Sequence, residues 1–155
     1  MIEAKNAFYA FDIVPGFWDC IFDASKAGLV RSPSMVFDEI AKGGDELSDW
    51  VKVAKEIDLF AEPNKSAQSL FGGIAQHVTE AYEQARTQKF LAGADPWVIA
   101  IAAECGGTVV TQETLLLGPG VKKIKIPNVC KYFDVSCVNV YQMLRTLEVK
   151  LVNGK

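Results

Sequence analysis

Histidine is the scarcest reactive residue in this chain: 155 residues contain one, His77. A single histidine weakens the case for the common hydrolase triads and makes a structural zinc site a poor fit. Cysteines stand at 20, 105, 130 and 137, with no Cys-x-x-Cys pair among them. That spacing argues against a zinc ribbon or a disulfide framework and leads us to expect four reduced, mostly buried thiols in a cytosolic protein. The longest strongly apolar run, 97–103, falls far short of the roughly 20 residues a membrane helix needs. The opening residues, Met-Ile-Glu-Ala-Lys-Asn, interleave acid and base without an apolar stretch, so no signal peptide is expected and a cytoplasmic location is. Positive charge is not in excess either. Sixteen Lys and Arg face nineteen Asp and Glu, for a net charge of −3 and a pI near 5.2. A protein that merely coats nucleic acid would be basic; an enzyme that holds metal ions with carboxylates would not need to be.

What is present is globular composition, 50% hydrophobic and 23% charged, over a length that suits one domain spanning 1–155. No repeat, low-complexity tract or convincing domain boundary interrupts it. Helix and strand signals alternate, which predicts an α/β domain with a mainly parallel sheet. Helices are expected over 17–27, from Ser32-Pro33 to Gly43-Gly44, over 45–55 behind an Asp45 cap, over 66–85, over 97–105 behind Asp95-Pro96, over 129–133 and over 141–147. Strands are expected over 29–32, 108–111 and 137–140, with a further one in the tail at 149–152. Lysine and isoleucine alternate over 122–126, as in an edge strand. The run 108–111 is β-branched throughout and short enough for a central parallel strand. The helix after Asp95-Pro96 is apolar almost all round and should be buried.

Three carboxylates fall where such a fold gathers its ligands. Glu39 sits on the helix after the strand 29–32, Asp95 at the N-cap of the buried helix, and Glu113 two residues past the strand 108–111. In a parallel α/β sheet the carboxyl ends of strands and the starts of the following helices line one edge, where ligands bind. Acids collected there repel one another unless a divalent cation sits among them. Mg²⁺ and Mn²⁺ take oxygen ligands of this kind, and two such ions can activate water and stabilise the leaving oxygen of a phosphodiester. Each acid also has an ordinary structural role: Asp95 as a helix cap, Glu39 as a solvated helix acid, Glu113 as a loop acid.

The ordered stretches Ser-Pro-Ser-Met-Val-Phe-Asp-Glu-Ile (32–40), Ala-Asp-Pro-Trp-Val-Ile-Ala (94–100) and Thr-Val-Val-Thr-Gln-Glu (108–113) resemble the PIN-domain nucleases. Together with Ile-Glu-Ala-Lys-Asn (2–6), Pro-Gly-Phe-Trp-Asp (15–19) and Lys-Ile-Pro-Asn-Val-Cys (125–130) they are most similar to a bacterial PIN-like family of unassigned function, over essentially the whole chain. The resemblance implies a three-layer α/β/α sandwich and a Mg²⁺- or Mn²⁺-dependent ribonuclease acting on single-stranded RNA. Many relatives are toxins of toxin–antitoxin pairs. By motif, Glu39, Asp95 and Glu113 match the family's catalytic, metal-holding acids, and Thr111 the motif's threonine, which packs or orients the site and is a candidate for substrate binding. The family's opening strand, ending in Asp-Ser/Thr-Asn just before the Ile-Glu-Ala-Lys-Asn stretch, has no counterpart here, so the first catalytic aspartate is missing from the pattern. Either the start codon is assigned too late or the protein is truncated; in the truncated form activity is expected to drop and the sheet gap to be filled by strand closure, the tail or a partner chain.

Lys122, Lys123, Lys125 and Lys131 form a segment without acids, whereas 38–62 holds eight acids and three lysines. The first three of these lysines are candidates for an RNA backbone or another anionic partner, or for the charged guard of an edge strand. Trp18, Trp50 and Trp97 fall in helical patterns and are expected in the core, His77 is expected as an ordinary surface or satisfied histidine, and Gly72-Gly73 lacks a phosphate-loop context. Beside the ribonuclease stand two other readings: an inactive PIN-like module that binds an antitoxin or a second copy of itself, and a plain α/β binding domain whose acids are caps and surface charges.

Overall fold

A computed structural model describes residues 1–2, 5, 9–118 and 122–151. The fold is mixed α/β and mostly helical. It divides into two compact units, Met1–Ala61 with Leu144–Lys155 and Glu62–Met143.

In the first unit, α1 (Pro15–Lys26) begins at the proline suited to a first helical turn and ends against Gly28, whose φ of +72° only glycine adopts cheaply. The backbone amides of Leu29 and Val30 both donate to Ala24 O. They close the end of α1 and are lost to any sheet, which is why the strand expected over 29–32 shrinks to β1 (Ser32–Pro33). The expected helix start at Ser32-Pro33 shifts accordingly: Ser32 N donates to Leu59 O, Pro33 is extended, and α2 (Ser34–Ile40) starts one residue later. Asp45 caps α3 (Glu46–Lys55) as expected, accepting from Ser48 N at 3.0 Å. β2 (Phe60–Ala61) lies parallel to β1. Phe17, Trp18, Ile21, Leu47, Val51, Ala54 and Leu59 are buried. The Trp18 ring stacks on Phe11, meets Trp50 edge-on, and donates its indole N–H to Tyr9 O at 2.9 Å.

In the second unit, Asn64 caps α4 (Lys65–Ala81), accepting from Ala67 N at 2.9 Å and donating to Glu104. The helix runs through Gly72-Gly73 but stops four residues short of the expected 85, because Tyr82 is extended. A separate helix, α5 (Gln84–Leu91), follows. Its polar sequence hides it from periodicity, since only Thr87 and Phe90 are buried, and the Thr87 hydroxyl donates to Val78 O. α6 (Asp95–Cys105) packs on α4 and buries Pro96, Ile99, Ala100 and Ala102. Gly106, at φ +65°, turns the chain into β3 (Thr108–Val110). α7 (Ile126–Tyr132) leads to β4 (Ser136–Val138), which pairs parallel with β3 in the register Val109↔Cys137. α8 (Val140–Thr146) follows. The core of this unit gathers Ile74, Val78, Phe90, Ile99, Val109, Val129 and Cys130.

Three sequence expectations change here. β3 buries Val109 alone, while Thr108 and Val110 are exposed, so it lacks the two covered faces of a central strand. Residues 122–126 form no strand, because the Ile126 amide that a ladder would use opens α7 instead. In the tail, 149–151 is not a strand, and 152 lies outside the described residues. The four described strands form two separate parallel pairs, β1-β2 and β3-β4.

Ile99→Ala should lower unfolding stability by about 2–5 kcal/mol, the usual cost of a large cavity in a packed core. Asn64→Ala should lower it by about 1 kcal/mol through loss of the cap. Urea denaturation followed by circular dichroism measures both.

Candidate functional site at the end of β3

Sequence dictates a sharp turn after β3. Thr111 N donates to Val138 O at 3.0 Å, holding the strand's end on β4, and its hydroxyl oxygen accepts from Glu113 N at 3.1 Å. This local turn aims the Glu113 side chain across 12 and 13 residues of chain. One carboxylate oxygen meets the Lys125 ammonium at 2.5 Å, and the other accepts from Ile126 N at 2.8 Å. Glu113 thus caps α7 from a distance, supplying the acceptor that Lys125, the local cap residue, does not. Three residues further on, Asn128 completes the closure: its amide accepts from Leu116 N at 3.0 Å and donates to Leu116 O at 2.9 Å.

Asp95 stands in the same unit. It is the first residue of α6 rather than its N-cap; Ala94 occupies the cap position in helical conformation. Because α6 turns through Gly106-Gly107 straight into β3 and packs on it, the start of α6 and the end of β3 lie at the same end of this unit. Asp95 thus opens the helix that leads into β3, and Glu113 follows that strand. Glu39 is exposed on α2, in the first unit. Of the lysines, Lys125 is half-buried against Glu113, whereas Lys122 and Lys123 are exposed. Arg86 reaches from α5 to donate to Lys122 O.

Carboxylate oxygens are the right donors for Mg²⁺ or Mn²⁺. Among the described residues, however, no group of three or more His, Cys, Asp or Glu side chains is placed to hold a metal ion. Glu113 has both oxygens engaged. The described side chains do not by themselves make up a metal site, and we derive no chemical step through one.

Two features of this unit escape sequence reading. The His77 ring on α4 stacks on Tyr132 at the end of α7, with centroids 3.6 Å apart, and Phe133 and Tyr82 meet His77 edge-on. Spacing of 55 residues offers no signal for that pairing. The thiols also differ from expectation: all four are free, but only Cys130 is buried and Cys105 is exposed. Burial pushes the Cys130 thiol up to about 12 and raises its neighbour Cys137 as well, so at neutral pH both stay protonated and poorly nucleophilic.

The family described as a domain of unknown function, DUF4411, matches residues 1–151. The chain belongs to that family. No curated protein matches it, and no solved structure does. The DUF4411 match covers every element from α1 to α8, so the carboxylate-capped loop after β3 lies wholly inside the family's span.

Glu113→Ala should cost about 1–3 kcal/mol, because the Ile126 amide, on a buried residue, loses its acceptor. Lys125→Met should cost no more than about 1 kcal/mol, since the ion pair is partly open to solvent. Chemical denaturation of both variants checks the ranking. Burial also holds His77 below its ordinary pKa. The unfolded chain then takes up the proton more readily than the folded one, so stability should fall as pH drops below about 6.5. His77→Gln should flatten the thermal midpoint between pH 7 and 5.

Proposed function

We propose that this DUF4411 chain is a PIN-like domain that, with the family's aspartate-bearing strand present, performs Mg²⁺- or Mn²⁺-dependent hydrolysis of single-stranded RNA. The reading is carried by position: Asp95 opens α6, and Glu113 follows the carboxyl end of β3, the strand into which α6 leads. The order of acids supports it, with Glu39 on the helix after β1 and the Thr111-Gln112-Glu113 turn after β3. In this reading the fold is the three-layer α/β/α sandwich of the PIN-like proteins. By the resemblance Glu39, Asp95 and Glu113 are the acids assigned to the metal. Lys122 and Lys123, both exposed, are the cations this reading assigns to RNA phosphates. The same resemblance makes the protein a cytoplasmic toxin with a cognate antitoxin.

Engagement of both Glu113 oxygens by Lys125 and Ile126 favours a second reading for the chain as given. Here the domain keeps its fold and binds an antitoxin or another copy of itself without cleaving. The test joins an apolar strand ending in Asp-Ser-Asn ahead of Met1 and compares it with the 155-residue chain. The first reading expects Mn²⁺ to raise the melting temperature of the extended chain, Asp95→Asn to abolish that rise, and the 155-residue chain to cleave single-stranded RNA weakly or not at all. No Mn²⁺ shift in the extended chain would overturn it and leave the interaction module.

A further inference from the structure

We propose that the His77–Tyr132 stack is a platform for a base of single-stranded RNA, with Lys122, Lys123 and Lys131 meeting the flanking phosphates. The choice of RNA rests on the ribonuclease reading above; the platform itself rests on geometry. Tyr132 is 65% exposed although its ring stacks flat on His77. One face is supported and the side chain still opens to solvent, an arrangement that costs apolar exposure and offers a rigid π-surface. Phe133 braces both rings edge-on, 5.8 Å from His77 and 5.1 Å from Tyr132. The helix beneath is bare at Gly73, one turn before His77, where an added Cβ would meet the Phe133 ring at 3.7 Å. A large side chain there would crowd the brace.

Charge argues for an anionic occupant. Residues 122–131 carry four lysines and no acid. Lys125 is held by Glu113, which leaves Lys122, Lys123 and Lys131 exposed. Lys131 adjoins Tyr132. Lys122 and Lys123 stand ahead of α7, a seven-residue helix roughly 10 Å long, and Arg86 is hydrogen-bonded to Lys122 O. Glu80 is the acid whose charge reaches His77, and it is exposed. An apolar partner would gain nothing from these lysines, whereas a nucleotide uses both parts: bases stack on aromatic faces without regard to sequence, and phosphates pair with ammonium groups.

Fluorescence anisotropy with a labelled 12-mer of uridine, in EDTA and low salt, tests the platform without any contribution from metal or cleavage. Tyr132→Ala should weaken binding about 5- to 150-fold, the range for loss of one stacked base, while Tyr132→Phe keeps it. Lys122→Ala with Lys123→Ala should lower the salt dependence of log K by about 0.7 per lysine. An unchanged unfolding midpoint in Tyr132→Ala confirms that the exposed ring was not needed for folding. Absence of wild-type binding, or equal binding by wild type and Tyr132→Ala, overturns the proposal. So does self-association that Tyr132→Ala abolishes while RNA fails to bind, which would assign the face to a second copy of the chain. Because the assay contains no metal, loss of the Mn²⁺ effect described above leaves this result standing, and failure here leaves the Mn²⁺ test standing.

Discussion

The Glu113 carboxylate, shared between the Lys125 ammonium and the Ile126 amide, sets the arrangement of the second unit around β3. A seven-residue helix is too short to hold its own start in place, and α7 has no local side-chain cap. The remote carboxylate supplies one. It also fixes the end of the loop that leaves β3, so strand, loop and helix are tied at a single point. Asn128 repeats the device with its amide at Leu116. Both Glu113 oxygens are engaged in this tie.

That tie explains the different fates of the neighbouring lysines. Lys125 is drawn inward as the partner of Glu113, while Lys122 and Lys123 remain in water. The same α7 that Glu113 anchors carries Tyr132 at its far end, against His77 of α4. A rigid start and a braced end make α7 a fixed spacer between a basic segment and an aromatic surface. The core beneath, from Ile74 and Val78 across Ile99 to Val129, gives both ends a common support.

The parts of the fold legible in the sequence are those fixed by local chemistry. Asp45 caps α3, Gly28 and Gly106 end their helices in left-handed conformation, and α6 buries Ile99, Ala100 and Ala102 of its apolar run. What escaped reading depends on distant partners. Ser32-Pro33 reads as a helix start but joins a parallel pair because Leu59 offers a carbonyl. The alternation over 122–126 reads as a strand, yet Ile126 begins a helix because Glu113, 13 residues away, accepts from its amide. α5 lacks an apolar stripe and is recognised only by the burial of Thr87 and Phe90. Among the site residues, the turn that orients Glu113 from Thr111 is written in adjacent residues and could be anticipated. Its engagement by Lys125 could not, and neither could the meeting of His77 with Tyr132.

Amide hydrogen exchange at Ile126 probes the Glu113 tie most directly. A carboxylate accepting from that amide should give Ile126 clear protection, well above that of the exposed loop at 122–123, and Glu113→Ala should remove the excess. Exchange of Ile126 as fast as that loop in the unmutated chain, or protection unchanged in Glu113→Ala, would contradict the role assigned to this carboxylate.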